Sequence, residues 1–124
     1  MIITIRGRVI SGKHIGTGLG FPTANVSPAK KYELPENGVY AARITLPGER
    51  VLNCVLNQGR HPTLPEGEPS IEAFILDFSG DIYGADVTVE YVEFIRGEVR
   101  FPDTDALKAQ IARDVETARE ILKN

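Results

Sequence analysis

The chain has no tryptophan, one cysteine, one methionine and two histidines in 124 residues. A lone Cys54 cannot close an internal disulfide, which excludes a small stapled scaffold and leaves this residue as core filler. With only His14 and His61 for company, no clustered Cys/His metal site is spelled out. No apolar run approaches the ~20 residues of a membrane-spanning helix. The start, Met-Ile-Ile-Thr-Ile-Arg-Gly-Arg, lacks the basic-then-apolar layout of a signal peptide, so a cytoplasmic protein is expected. An excess of basic charge is missing too. At a formal net charge of −3 the chain lacks the broad positive field of a general nucleic-acid binder, and a small molecule is the expected partner.

What is present fits one domain with a real core: 42% hydrophobic and 25% charged residues. Five segments alternate or run apolar between Gly, Pro and Asn, and read as strands: Ile2 to Ile10, Gly38 to Leu46, Arg50 to Asn57, Ser70 to Phe78 and Asp86 to Arg96. Leu46-Pro47-Gly48-Glu49-Arg50 predicts a hairpin turn, and a second such turn begins at Ser79-Gly80-Asp81. No helical crossover fits between neighbouring strands, which points to an antiparallel, closed or nearly closed barrel. After Phe101-Pro102 the period changes. Leu107, Ile111, Val115, Ala118 and Leu122 define one amphipathic helix, widened by Ala106 and Ile121 and capped by Asp103 or Thr104.

Two stretches, Gly12 to Asn37 and Gly59 to Pro69, read as long irregular loops, which in a small domain point to function. The first opens Gly-Lys-His-Ile-Gly-Thr-Gly-Leu-Gly-Phe-Pro-Thr-Ala-Asn. Glycines at 12, 16, 18 and 20 let backbone N–H groups approach anionic oxygens, and Thr23 and Asn25 offer hard oxygens for a phosphate-bound Mg²⁺. The spacing from Gly7 to Lys13 imitates a P-loop, but His14 stands where Ser or Thr should follow and no helix can form there. Glu72 is the one ionisable group on a strand face shared with Phe74, Leu76 and Phe78. Alternation alone leaves it either reaching solvent or serving a site.

The Pro22-Thr23-Ala24-Asn25 motif, Asn57 to Thr63, Ser70-Ile71-Glu72-Ala73, the Asp81-Ile82-Tyr83-Gly84 turn and Ile95-Arg96 ahead of Phe101 together resemble the ATP-dependent riboflavin kinase (flavokinase) family. The resemblance runs from about Gly7 to Leu122. It implies an all-β fold, a six-stranded antiparallel Greek-key (split) barrel with one C-terminal α-helix packed on it, as a single kinase domain over residues 1–124. The implied reaction moves the γ-phosphate of Mg-ATP to the ribityl 5′-hydroxyl of riboflavin, giving FMN and ADP.

The resemblance also implies roles. Gly12, Thr23 and Asn25 meet nucleotide phosphates and Mg²⁺, with Thr23 and Asn25 as metal ligands, and Glu72 is the catalytic base. Read from the residues themselves, Lys13, Gly16, Gly18 and Gly20 complete the nucleotide loop, and Tyr83 is a candidate to stack on a planar ring of the nucleotide. Arg96, Phe101 and Arg60 are candidates for the flavin, while Asn57 and Thr63 read as wall or loop-fixing residues. Three positions depart from the family: Thr17 replaces a usual Arg or Lys, Phe74 a common histidine, and Gln58 a usual apolar residue. The chain has no room for the FAD synthetase domain that many bacterial relatives carry. A monomer without nucleic-acid or membrane partners is expected. The alternative is a flavin or nucleotide sensor of the same fold with little turnover.

Overall fold

The computed structural model describes residues 3–11, 23–60, 69–78, 80–99 and 101–123, with Ser11, Thr23 and Arg60 placed through their backbones. Six strands and one helix follow in chain order. They are β1 (Ile3–Ser11), β2 (Thr23–Pro28), β3 (Gly38–Leu46), β4 (Arg50–Arg60), β5 (Pro69–Ile75), β6 (Asp86–Arg96) and α1 (Thr104–Ile121). All pairs are antiparallel and close a barrel in the order β1-β2-β5-β4-β3-β6. Strands β3, β4 and β5 are sequential neighbours and β6 returns beside β3, which is the Greek-key arrangement.

Four expectations needed correction. The stretch from Gly12 to Asn37 is not irregular throughout, because Thr23–Pro28 forms β2. Its inward pair, Ala24 and Val26, is apolar, but Pro22 and Pro28 bracket the strand and hide it as a loop. Strand β4 runs on to Arg60, beyond the expected Asn57. Strand β5 ends at Ile75, because Asp77 takes φ 55 and breaks the alternation; Phe78 packs against the barrel-interior cluster instead of sharing Glu72's face. The β5–β6 connection closes no hairpin, since those strands are not neighbours. At the β3–β4 hairpin, Gly48 (φ 86) and Glu49 (φ 64) make the tight turn and Glu49 N–H donates to Leu46 O at 3.0 Å.

Period-two alternation divides the apolar residues between two cores. Inside the barrel lie Ile5, Val9, Val26, Ile44, Leu56, Ile71, Ile75 and Val89. Cys54 is among them, its thiol pushed up to about 12 by burial, which fits filler rather than a reactive group. Gln58, the polar departure, is also interior and satisfied: Tyr91 Oη donates to its Oε1 (2.7 Å), and its Nε2 donates to Pro35 O (2.8 Å) and Asn37 Oδ1 (3.2 Å). It ties the segment before β3 to the barrel mouth. On the outside, Val39, Ala41, Val55, Phe74 and Leu76 meet Ile111, Val115, Ala118 and Leu122 of α1.

The helix begins where expected, with the Asp103 side chain accepting from Ala106 N–H at 2.8 Å. Two ion pairs pin it. Arg119 binds Asp77 through both carboxylate oxygens at 2.8 and 3.0 Å on the exposed side, and Asp114 holds Arg96 of β6 beneath the helix. Among the described residues no helix is long and apolar enough to cross a membrane.

Asp114 is only 2% exposed, so losing it strands a guanidinium that is itself largely covered. Asp114→Ala is expected to cost about 2–4 kcal/mol in urea unfolding. The double replacement Arg96→Met with Asp114→Leu should cost clearly less than the two single changes added together.

Candidate active site

Strands β2, β5 and β4 lie side by side, and their register sets Asn25 opposite Glu72 and Glu72 opposite Asn57. All three face outward, because their chain neighbours Ala24 and Val26, Ile71 and Ala73, Leu56 and Gln58 fill the interior. The row continues through Val39, the partner of Asn57, to Arg96 on β6. Directly opposed residues on such a surface have Cβ atoms about 4.5–5.5 Å apart, so each side chain is within reach of the next.

Helix α1 roofs the Arg96 end of this row and leaves a cavity of about 200 Å³. Val39, Val55, Phe74, Leu107 and Ile111 make its apolar walls, and Asn57, Glu72, Glu98, Arg96 and Phe101 border it. Glu72 stands out within it. Its Oε2 is buried and has no hydrogen-bond partner among the described residues. Burial pushes its carboxyl above the ordinary glutamate range. A buried acceptor left unsatisfied is costly, and such groups concentrate where a ligand completes them.

Arg96 lies in the cavity wall with its guanidinium largely taken up. Nε and Nη2 donate to Asp114 at 2.8–3.1 Å, Nη1 donates to Gly97 O at 3.1 Å, and the group stacks over Phe101 at 5.7 Å. Gln110 Nε2 also donates to Asp114, at 2.9 Å. Arg96 therefore ties Gly97, the Phe101 ring and the helix together as one wall. Glu98 closes the corner: a Cβ at Gly59 would collide with its Oε1, so glycine lets the carboxylate rest against β4.

The structure thus brings Asn25, Glu72, Arg96 and Phe101 onto one face. Thr23 is placed by its backbone as the register partner of Phe74, and Arg60 by its backbone at the end of β4. Tyr83 is not at the cavity. It stands 68% exposed in a separate groove with Arg50 and Phe78, on a turn whose Gly84 N–H donates to Val9 O at 2.7 Å. Gly12, Lys13, Gly16, Gly18 and Gly20, with Thr17, His14, His61 and Thr63, lie outside the described residues. A larger, more open groove of about 610 Å³ runs along β1, but its ionic groups, Arg6, Arg8 and Asp86, are exposed.

Sequence reasoning missed Asp114 and Glu98 and gave Asn57 only a wall's role. Asp114 had a signal: it sits three residues after Ile111 and four before Ala118, inside the apolar stripe. Among the described residues no cluster of three or more His, Cys, Asp or Glu could hold a metal alone. Asn25 and Glu72 are nonetheless adjacent hard-oxygen donors, which suits a Mg²⁺ that keeps its waters and phosphate oxygens.

Similar proteins carry the same frame. A bifunctional riboflavin kinase/FMN adenylyltransferase of Haemophilus influenzae is 44% identical over 115 residues, covering 93% of this chain and 37% of that protein. Riboflavin kinase from Trypanosoma brucei superposes with a TM-score of 0.67 at 25% identity, over 99% of this chain and 81% of that one. A Streptococcus pneumoniae structure described as a macrolide-efflux protein superposes with a TM-score of 0.82 at 30% identity, over 94% of this chain and 38% of that one. The chain therefore spans a little over a third of the length of the curated relatives it matches. With the family pattern matched across residues 2–122, the chain belongs to the riboflavin kinase (flavokinase) family.

Proposed function

We propose that residues 1–124 act as a single riboflavin kinase domain, moving the γ-phosphate of ATP to the ribityl 5′-hydroxyl of riboflavin and releasing FMN and ADP. The observation that carries this reading is the buried, unpartnered Oε2 of Glu72 beside Asn25 at the mouth of an apolar cavity. A hydroxyl donating to Oε2 satisfies that oxygen. As the hydroxyl oxygen bonds to phosphorus, its proton passes to Glu72 and the bond from phosphorus to the ADP oxygen breaks. Burial raises the carboxyl's basicity toward the pH at which it works.

Asn25, with Thr23, is assigned to the magnesium nucleotide; bound there, Mg²⁺ supplies neutralisation of the phosphate charge. The apolar walls and Phe101 receive the isoalloxazine ring, and the Arg96–Asp114 pair keeps that wall in place. Lys13 and the glycines at 12, 16, 18 and 20 are assigned to phosphate, Arg60 to the flavin substrate, and Tyr83 to the nucleotide. Such a protein is taken as a cytoplasmic monomer. A sensor without turnover is the competing reading, and the same assay separates the two.

Glu72→Gln is expected to lower kcat about 10²–10⁴-fold with nucleotide binding retained, measured as FMN formed from riboflavin and Mg-ATP. Wild-type kcat should fall as pH drops through the raised Glu72 pKa, and the variant should lose that limb. A wild-type chain that binds riboflavin but forms no FMN with any triphosphate overturns the kinase reading.

The same shift has a consequence for stability. A carboxyl raised by burial favours the native state fully only below its unfolded pKa, and the advantage is lost as pH rises through the folded value. Glu72→Gln should therefore unfold at a higher temperature than wild type near pH 8, with the difference vanishing below about pH 4.

A further inference from the structure

Asn57 stands next to Glu72 on the side away from Asn25, and its position follows from pairing alone. It is the register partner of Glu72 on one side and of Val39 on the other, and it faces outward between the interior residues Leu56 and Gln58. Its side-chain amide borders the cavity and makes no hydrogen bond to the described residues. It does not satisfy Glu72 Oε2, although it is within side-chain reach. Beyond it the wall is Val39, Val55, Leu107 and Ile111.

The order along the row sets a direction for the acceptor. With phosphates on the Asn25 side and the reacting hydroxyl at Glu72, the remainder of the acceptor has to leave past Asn57 to reach the apolar cavity. A polyol chain taking that path carries its next hydroxyls by the amide. A carboxamide offers both a donor and an acceptor with no charge, which matches neutral hydroxyls and not phosphate. We propose that Asn57 is a specificity-determining residue that reads the secondary hydroxyls of the acceptor's polyol chain adjacent to the reacting one. This rests on the kinase reading above.

The test compares riboflavin with an isoalloxazine carrying a 5-hydroxypentyl chain at N10, which keeps the primary hydroxyl and lacks the secondary ones. Wild type should prefer riboflavin in kcat/KM. Asn57→Leu should lose about tenfold on riboflavin while changing little on the hydroxypentyl flavin, the size expected for one or two neutral hydrogen bonds. Asn57→Ser, with a hydroxyl in reach, should recover part of the preference, and it stands in if the leucine variant does not fold by circular dichroism.

Equal losses on both flavins, or a wild type indifferent to the secondary hydroxyls, would overturn the proposal while leaving the kinase reading intact. A wild type that phosphorylates neither flavin sinks both.

Discussion

In a closed six-stranded barrel each strand is paired on both sides, so none can slip by one residue without turning its interior set out to solvent. That constraint places the candidate site. Ala24, Val26, Leu56, Ile71 and Ala73 are held inside, and the residues between them are thereby held outside. Asn25, Glu72 and Asn57 form a row only because β2, β5 and β4 are locked in this register. Where β1 meets β2 the backbones approach so closely that a Cβ at Gly7 would lie 2.5 Å from the Ser27 carbonyl oxygen, and the ladder then shifts register between Val9 and Ser11. The strand that carries Thr23, Ala24 and Asn25 is thus closely tied to β1.

The outer face would be an ordinary solvated sheet without α1. The helix covers Val39, Ala41, Val55, Phe74 and Leu76, and the cavity beside it brings these apolar walls up to the polar row of Asn57 and Glu72. Stability and site share the same contacts here. The ion pair that docks the helix also sets the wall carrying Phe101, and it leaves Arg96 with little charge to offer a phosphate. Among the described residues the cavity is bordered by Glu72, Glu98, Asp114 and Arg96, a set that suits a neutral acceptor.

Much of this was legible in the sequence for physical reasons. Strands β3 and β6 show strong patterning with turn residues at both ends, and their bounds agree with expectation residue for residue. Strand β2 was not legible, because six residues with one proline inside and another just before carry too little alternation to outweigh the loop signal. The end of β5 was misjudged because nothing local announces that Asp77 adopts a left-handed backbone, a conformation Arg119 helps to hold from 42 residues away. At the site, Glu72 was legible as an ionisable residue on an apolar face. Asn57 was not, since its meaning comes from a register that no single strand encodes.

Phe74 connects fold to chemistry. Phe74 lies two residues from Glu72 on the same strand face, only 4% exposed, and packs into the core beneath the helix. A histidine there could donate a hydrogen bond to the neighbouring carboxylate or share its proton. Phenylalanine can do neither, so desolvation acts on Glu72 with no partner to oppose it among the described residues. The same ring supplies apolar area that holds α1 down. One side chain therefore packs the site's roof and leaves the neighbouring carboxyl desolvated and unopposed among the described residues.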